Sequence, residues 1–214
     1  MDELLTRESI DQWMSFFYCK PSPELIPVAI QSMIHHGILK EPTSATSVQA
    51  FLTAVFRRYP HDVSLWLVET LPVADSEEQE ILLTALWLSD TPESKENLKE
   101  LGSLFHSDLS ELRNDYNQNY PPSLLDFVID DPAIIDCLWA SFMATGDNRY
   151  INHLLDFLQG ENSVEDVLVR NAVIWSLESN FREHKKVQEI CHQYLANCSE
   201  PSEVLTSMME RVKS

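Results

Sequence analysis

Ser44-Ala45-Thr46-Ser47-Val48-Gln49-Ala50-Phe51-Leu52-Thr53-Ala54-Val55-Phe56-Arg57-Arg58-Tyr59, followed by Pro60, is the stretch that decides the fold. Its large apolar side chains, Val48, Phe51, Leu52, Val55, Phe56 and Tyr59, recur at i, i+3, i+4, i+7, i+8 and i+11. That spacing places them on one face of a helix with 3.6 residues per turn and on neither face of a strand. Pro60 ends the run because proline has no N–H to continue the ladder.

The same pattern extends in both directions. Towards the N-terminus, Ile10, Trp13, Met14 and Phe17 predict a helix over about 2–18, ended by Lys20-Pro21-Ser22-Pro23. The next helix begins either at Ser22 and Pro23 or at Pro27, since an interior proline costs about 3 kcal/mol. It runs to His36, with Gly37 as its C-terminal cap. Towards the C-terminus, residues 61–71 carry Val63, Leu65, Trp66 and Leu67 and close at Pro72. Ser76 opens a helix with Glu77 and Glu78 in its first turn, where acids suit the helix dipole. Its body, Ile81 to Leu88, is apolar all round, which predicts a central position. Thr91-Pro92-Glu93 opens a helix to about Phe105, and residues 108–119 are polar and weakly amphipathic.

After Tyr120-Pro121-Pro122 the plan repeats. A short helix is expected over Ser123–Ile129. Asp131-Pro132 starts another, with Ile134, Ile135, Leu138, Trp139 and Phe142, ending at Thr145-Gly146-Asp147. Arg149–Gln159 carries Tyr150, Ile151, Leu154, Leu155 and Leu158. Ser163 and Asp166 resemble a capping box for a helix over about 164–182, whose stripe is Val164, Val167, Leu168, Ala172 and Trp175. Residues 184–197 and 202–213 form two closing amphipathic helices separated by Pro201. No window alternates long enough for a strand, and no Asn-Gly or Asp-Gly hairpin turn occurs. The expected fold is all-α, an irregular array or bundle of eleven or twelve helices in antiparallel pairs, solenoid-like in form. It reads as one all-helical domain over 1–214, with Tyr120-Pro121-Pro122 as the place where a division into 1–120 and 121–214 would fall.

Glycine is scarce, with four in 214 residues, so a glycine-built phosphate loop is hard to place. Gly37, Gly146 and Gly160 read as helix terminators. Gly102 lies inside the expected 92–105 helix and marks a kink or a displaced boundary.

Charge narrows the partners. Lys plus Arg number 15 against 34 Asp plus Glu, a net charge of −19. Such a chain repels nucleic acid and anionic membrane surfaces and stays soluble. The acids read either as a solvated surface or as an attraction for a basic protein partner. Cys19, Cys137, Cys191 and Cys198 form no CxxC motif. Cys191 and Cys198 are two turns apart on one helix, roughly 10 Å, too far for a disulfide. Reduced thiols and a cytoplasmic location are expected. The acidic start, Met1-Asp2-Glu3-Leu4, lacks a basic region ahead of an apolar one, so no secretory signal is expected. No run reaches the roughly 18 apolar residues of a membrane span.

Candidate chemistry is thin. His35 and His36 are adjacent and point about 100° apart on a helix, so they do not converge on one ion. His184 and His192, and the neighbours Cys191 and His192, form no HExxH or Cys/His quartet. Asp126, Asp130, Asp131 and Asp136 cluster around Pro132, where Asp131 is best read as a helix cap. Gly-x-Ser-x-Gly and the nucleotide-binding motifs are absent, and Cys19 beside Lys20 makes no catalytic arrangement. No catalytic, cofactor-binding or metal residue is therefore assigned. Trp13, Trp66, Trp87, Trp139 and Trp175 all sit at helical apolar spacing, as core residues or as anchors lining a groove.

Two stretches, from Phe51 to Leu71 and from Leu124 to Ala144, each place a short helix before a proline and a Leu-Trp pair, without a fixed period. The segment Asp136-Cys137-Leu138-Trp139-Ala140-Ser141-Phe142-Met143-Ala144-Thr145-Gly146-Asp147-Asn148-Arg149-Tyr150-Ile151 resembles the helix-turn-helix junctions of tetratricopeptide-like proteins. The resemblance covers about 25 residues, lacks the full small/large signature and transfers no binding residues. It implies paired helices that bind other proteins. The function expected is a non-catalytic protein-binding or scaffold module. The alternatives are an acidic chaperone or inhibitor for a basic partner, and a helical-bundle enzyme.

Overall fold

Short side chains that accept the free N–H groups of a first turn decide where these helices begin. Thr6 accepts from the Ser9 N–H, Thr91 from Ser94, Asp131 from Ala133, Asp147 from Arg149 and Ser202 from Leu205. Asp75 accepts from Glu78, whose carboxylate accepts in return from the Asp75 N–H, a full capping box.

A computed structural model describes residues 5–160 and 167–212. Among these are twelve α-helices, a few one-turn 3-10 segments and no strand, so the fold is all-α. The Ser163–Asp166 capping box and Val164 lie outside the described residues. Contacts group the chain into two compact units, Met1–Ser123 with Met143–Thr145, and Leu124–Phe142 with Gly146–Ser214.

The first unit holds α1 (Arg7–Phe16), α2 (Ile26–His35), α3 (Ala45–Arg58), α4 (Val63–Thr70), α5 (Ser76–Leu88), α6 (Pro92–Glu100) and α7 (Ser110–Gln118). Proline at the first turn of α2 resolves its start in favour of Pro27, with Pro23–Leu25 as a separate 3-10 turn. The decisive stretch is α3, with Val48, Phe51, Leu52, Val55 and Phe56 all buried. It packs chiefly on α5 through the inward residues Leu82, Leu83 and Leu86. Arg57 of α3 donates to the carbonyls of Ser89 (2.8 Å) and Leu88 (2.7 Å), capping the end of α5 with a cation. Beside α3, Phe17 and Phe51 meet edge-on at 5.6 Å between ring centres, and Trp13 joins both at 5.1 and 5.5 Å.

Two sequence expectations are corrected here, while Gly160 ends its helix as expected. The 92–105 helix ends at Glu100, and Gly102 sits in a 3-10 turn, Leu101–Leu104. A Cβ on Gly102 would stand 2.7 Å from the Arg113 guanidinium, which donates to the Gly102 carbonyl at 2.6 Å. Residues Ser123–Ile129 form only a 3-10 turn, Leu124–Asp126. Phe127 and Val128 beside it are exposed and Ile129 alone of the segment is buried, too little covered apolar surface to sustain a helix. Gly160 follows its helix with φ −71°, which any residue adopts, whereas Gly37 and Gly146 both turn at φ 68°, where glycine is favoured.

The second unit holds α8 (Pro132–Thr145, up to Phe142), α9 (Asn148–Gln159), α10 (Val167–Glu183), α11 (Lys185–Asn197) and α12 (Glu203–Arg211). Its core is built from Leu154, Leu155 and Leu158 of α9, Val173 and Leu177 of α10, Val187 of α11, and Leu205 and Met208 of α12, none with measurable exposure. Contacts between α9 and α11 advance in step along both helices. Lys186 acts electrostatically on Asp147, Tyr194 bonds Asp156, and Gln159 bonds Glu200 just past α11. The two helices therefore run parallel, with α10 packed on both as the returning strand of the path.

His184, 2% exposed, precedes α11, and burial holds its imidazole below the ordinary 6.5 despite the opposing charge of Glu183. The folded state thus keeps His184 neutral where the unfolded chain takes up a proton. Its contribution is complete above about pH 6.5 and is lost as pH falls below that. Chemical denaturation at pH 7.5 and 5.5 should show the wild type losing more stability on acidification than His184→Gln.

Candidate functional site

The polar stripe of α9 and that of α11 face each other across a groove in the second unit. Asn148 and Asn152 line it from α9. Ile190, Gln193, Tyr194 and Asn197 line it from α11, with Cys198 at the end. The groove encloses about 360 Å³. On each helix the carboxamides are four residues apart, so each pair shares a face. Ile190 is buried and forms an apolar floor, while Asn148, Gln193 and Asn197 are exposed at the rim.

Tyr194 ties the walls together. Its hydroxyl donates to the Asp156 carboxylate at 2.6 Å. Burial and the adjacent Asp156 charge both raise the phenol above its ordinary value, so it stays protonated and serves as a donor. One turn further along the α9 stripe, Gln159 donates to the Glu200 carbonyl (2.7 Å) and accepts from the Ser202 N–H (2.9 Å). Beside the opposite end, Arg149 pairs with Asp147 at 2.7 Å and holds that carboxyl below the usual carboxylate range. Carboxamides both donate and accept and do not titrate in the physiological range, so these four side chains can hydrogen-bond a neutral polar ligand.

None of these carboxamides was singled out in the sequence. Asn148/Asn152 and Gln193/Asn197 are i, i+4 pairs on amphipathic helices, and such a pair reads as solvated surface until a second helix is laid beside it. The residues that did attract attention go elsewhere. His36 bonds the Leu5 carbonyl at 2.9 Å, and its ring meets that of His35 edge-on. Asp131 caps α8, as its position before Pro132 suggested. None of the four cysteines is in a disulfide. Burial pushes the Cys137 thiol up to about 11 and the Cys191 thiol up to about 12, which keeps both protonated. Among the described residues no group of three His, Cys, Asp or Glu side chains is placed to hold a metal ion.

The tryptophans divide. Trp66 and Trp139 are buried and Trp13 and Trp87 half-buried, but Trp175 is 73% exposed and Leu168, two turns earlier, is 82% exposed. This overturns the expected inward stripe of α10. The helix buries Val169, Val173, Ser176, Leu177 and Phe181 instead, and turns Val167, Leu168 and Trp175 outward. The helix has two apolar faces, and the neighbours α9, α11 and α12 take the one with Val169, Val173, Leu177 and Phe181. No helix among the described residues is long and apolar enough to cross a membrane. No protein-family model matches this chain, and comparison with curated proteins and with solved structures likewise finds no match.

Proposed function

We propose that this chain is a non-catalytic protein-binding module and that the groove between α9 and α11 receives the partner. The observation that carries the reading is the lining: four carboxamides and a protonated tyrosine above a buried isoleucine. Such groups fix a polar ligand by hydrogen bonds and offer little to a reaction. The outward Leu168 and Trp175 support it further, because exposed tryptophan is favoured as an interface anchor. The likeness of residues 136–151 to tetratricopeptide-like junctions agrees in kind, and cysteines outside any disulfide fit the cytoplasmic setting we assign.

A photo-crosslinking residue placed at Gln193, with a control at the exposed Glu96, tests the reading in extract of the native host. The expected result is a defined protein adduct from position 193 alone, which then binds the purified chain and competes with the crosslink. Equal labelling from both positions, or no adduct, would overturn it. The net charge of −19 favours a second reading, an acidic inhibitor or chaperone for a basic partner. In that case the partner's affinity would fall about tenfold or more between low and physiological salt.

A further inference from the structure

We infer that the α9–α11 groove recognises the main chain of an extended polypeptide segment, largely independently of its side chains. The inference rests on the protein-binding reading and adds the kind of ligand and the way it is held.

The first observation is spacing. Asn148 and Asn152 stand one α-helical turn apart on α9, as do Gln193 and Asn197 on α11, about 6 Å along each axis. An extended chain repeats every two residues over about 6.7 Å. Because α9 and α11 run parallel, both walls offer carboxamides at nearly the period at which a strand presents its N–H and C=O groups to one side. Each carboxamide can donate to one of these groups and accept from the other.

The second observation is that the protein already makes this contact twice within its own chain. Gln159, on the same α9 stripe as Asn148 and Asn152, donates to the Glu200 carbonyl and accepts from the Ser202 N–H. Gln79 of α5 donates to the Leu104 carbonyl and accepts from the His106 N–H. In both, one helical carboxamide clamps C=O of residue i and N–H of residue i+2, and Phe105 between them is extended. The 200–202 segment therefore occupies one end of the α9 stripe, and the open carboxamides continue it. Among the described residues, Asn148, Asn152, Gln193 and Asn197 have side chains committed to no other hydrogen bond.

The third observation is charge. The groove-lining side chains are uncharged, which suits a main chain and does not favour a phosphate or a carboxylate. The ring of Tyr194 is held by Asp156, and no tryptophan lines the groove to stack on a sugar.

The test pans a phage-displayed library of random 12-residue peptides on the full chain, with Asn152→Ala/Asn197→Ala as the counter-selection. Enriched peptides should bind the wild type about tenfold more tightly than either single variant. Methylation of either alternate set of peptide nitrogens should weaken binding about tenfold or more, because each wall faces one edge of the extended segment. Asn152→Asp, which keeps the shape and loses the donor, should weaken binding to a similar degree, and circular dichroism should show all variants folded. The inference fails if the wild type retains no more of the library than the double variant, if backbone methylation is silent, or if a glycan array binds in a groove-dependent way. A crosslinked protein partner that binds wild type and the double variant equally would sink the main-chain inference while leaving the protein-binding reading intact.

Discussion

Gln79→Leu destabilises the first unit by about 3–5 kcal/mol, in urea denaturation of the full chain, with little change in helical content before the transition. Gln79 is 1% exposed and bonded through both ends of its carboxamide. It donates to the carbonyls of Leu71 (2.8 Å) and Leu104 (3.3 Å) and accepts from the His106 N–H (2.6 Å). These bonds fasten α5 to the turn after α4 and to the extended strand of chain before α7. Leucine fills nearly the same space but leaves three main-chain groups without that partner. Each costs about 1–3 kcal/mol when kept from water, and His106, at the surface, recovers part of its share. Exchange of the His106 amide should accelerate in the variant. A loss below about 1 kcal/mol would show that water replaces the glutamine throughout.

Phe51→Ala costs about 3–5 kcal/mol by the same measurement, and Phe51→Leu well under half of that. Phe51 has no exposed surface and meets both Trp13 and Phe17 edge-on. Alanine removes the ring's burial, both aromatic contacts and the volume between α1 and α3, where close packing leaves little room for collapse. The near-ultraviolet signal of Trp13 should weaken in the folded variant, since its indole loses a packed face while keeping its hydrogen bond to Ser22 at 2.8 Å. An unchanged signal with a small stability loss would mean that the neighbouring helices close the gap.

Local rules carried far in this chain because its helices are short and well marked. The spacing of Val48, Phe51, Leu52, Val55 and Phe56 named the buried face of α3 correctly, since one apolar face leaves one way to pack. Asp131-Pro132 marked a helix start through capping, which needs only neighbours in sequence. The expectations that failed lacked such a marker. Leu124–Asp126 stops after one turn because nothing covers Phe127 and Val128. The 92–105 helix stops at Glu100, and Gly102, which the sequence marks as a kink or displaced boundary, sits in the 3-10 turn that follows and gives its carbonyl to Arg113.

Fold class, most helix boundaries and the absence of a strand among the described residues follow from the sequence by itself, because caps, prolines and apolar periodicity act over a few residues. Only the tertiary structure decided which apolar face of α10 is buried and which carries Leu168 and Trp175 into solvent, since both faces satisfy helical spacing. It alone also decided that two ordinary pairs of carboxamides line one groove. Asn148 and Asn197 are far apart in the chain, and only parallel packing of α9 and α11 turns their separate stripes into facing walls.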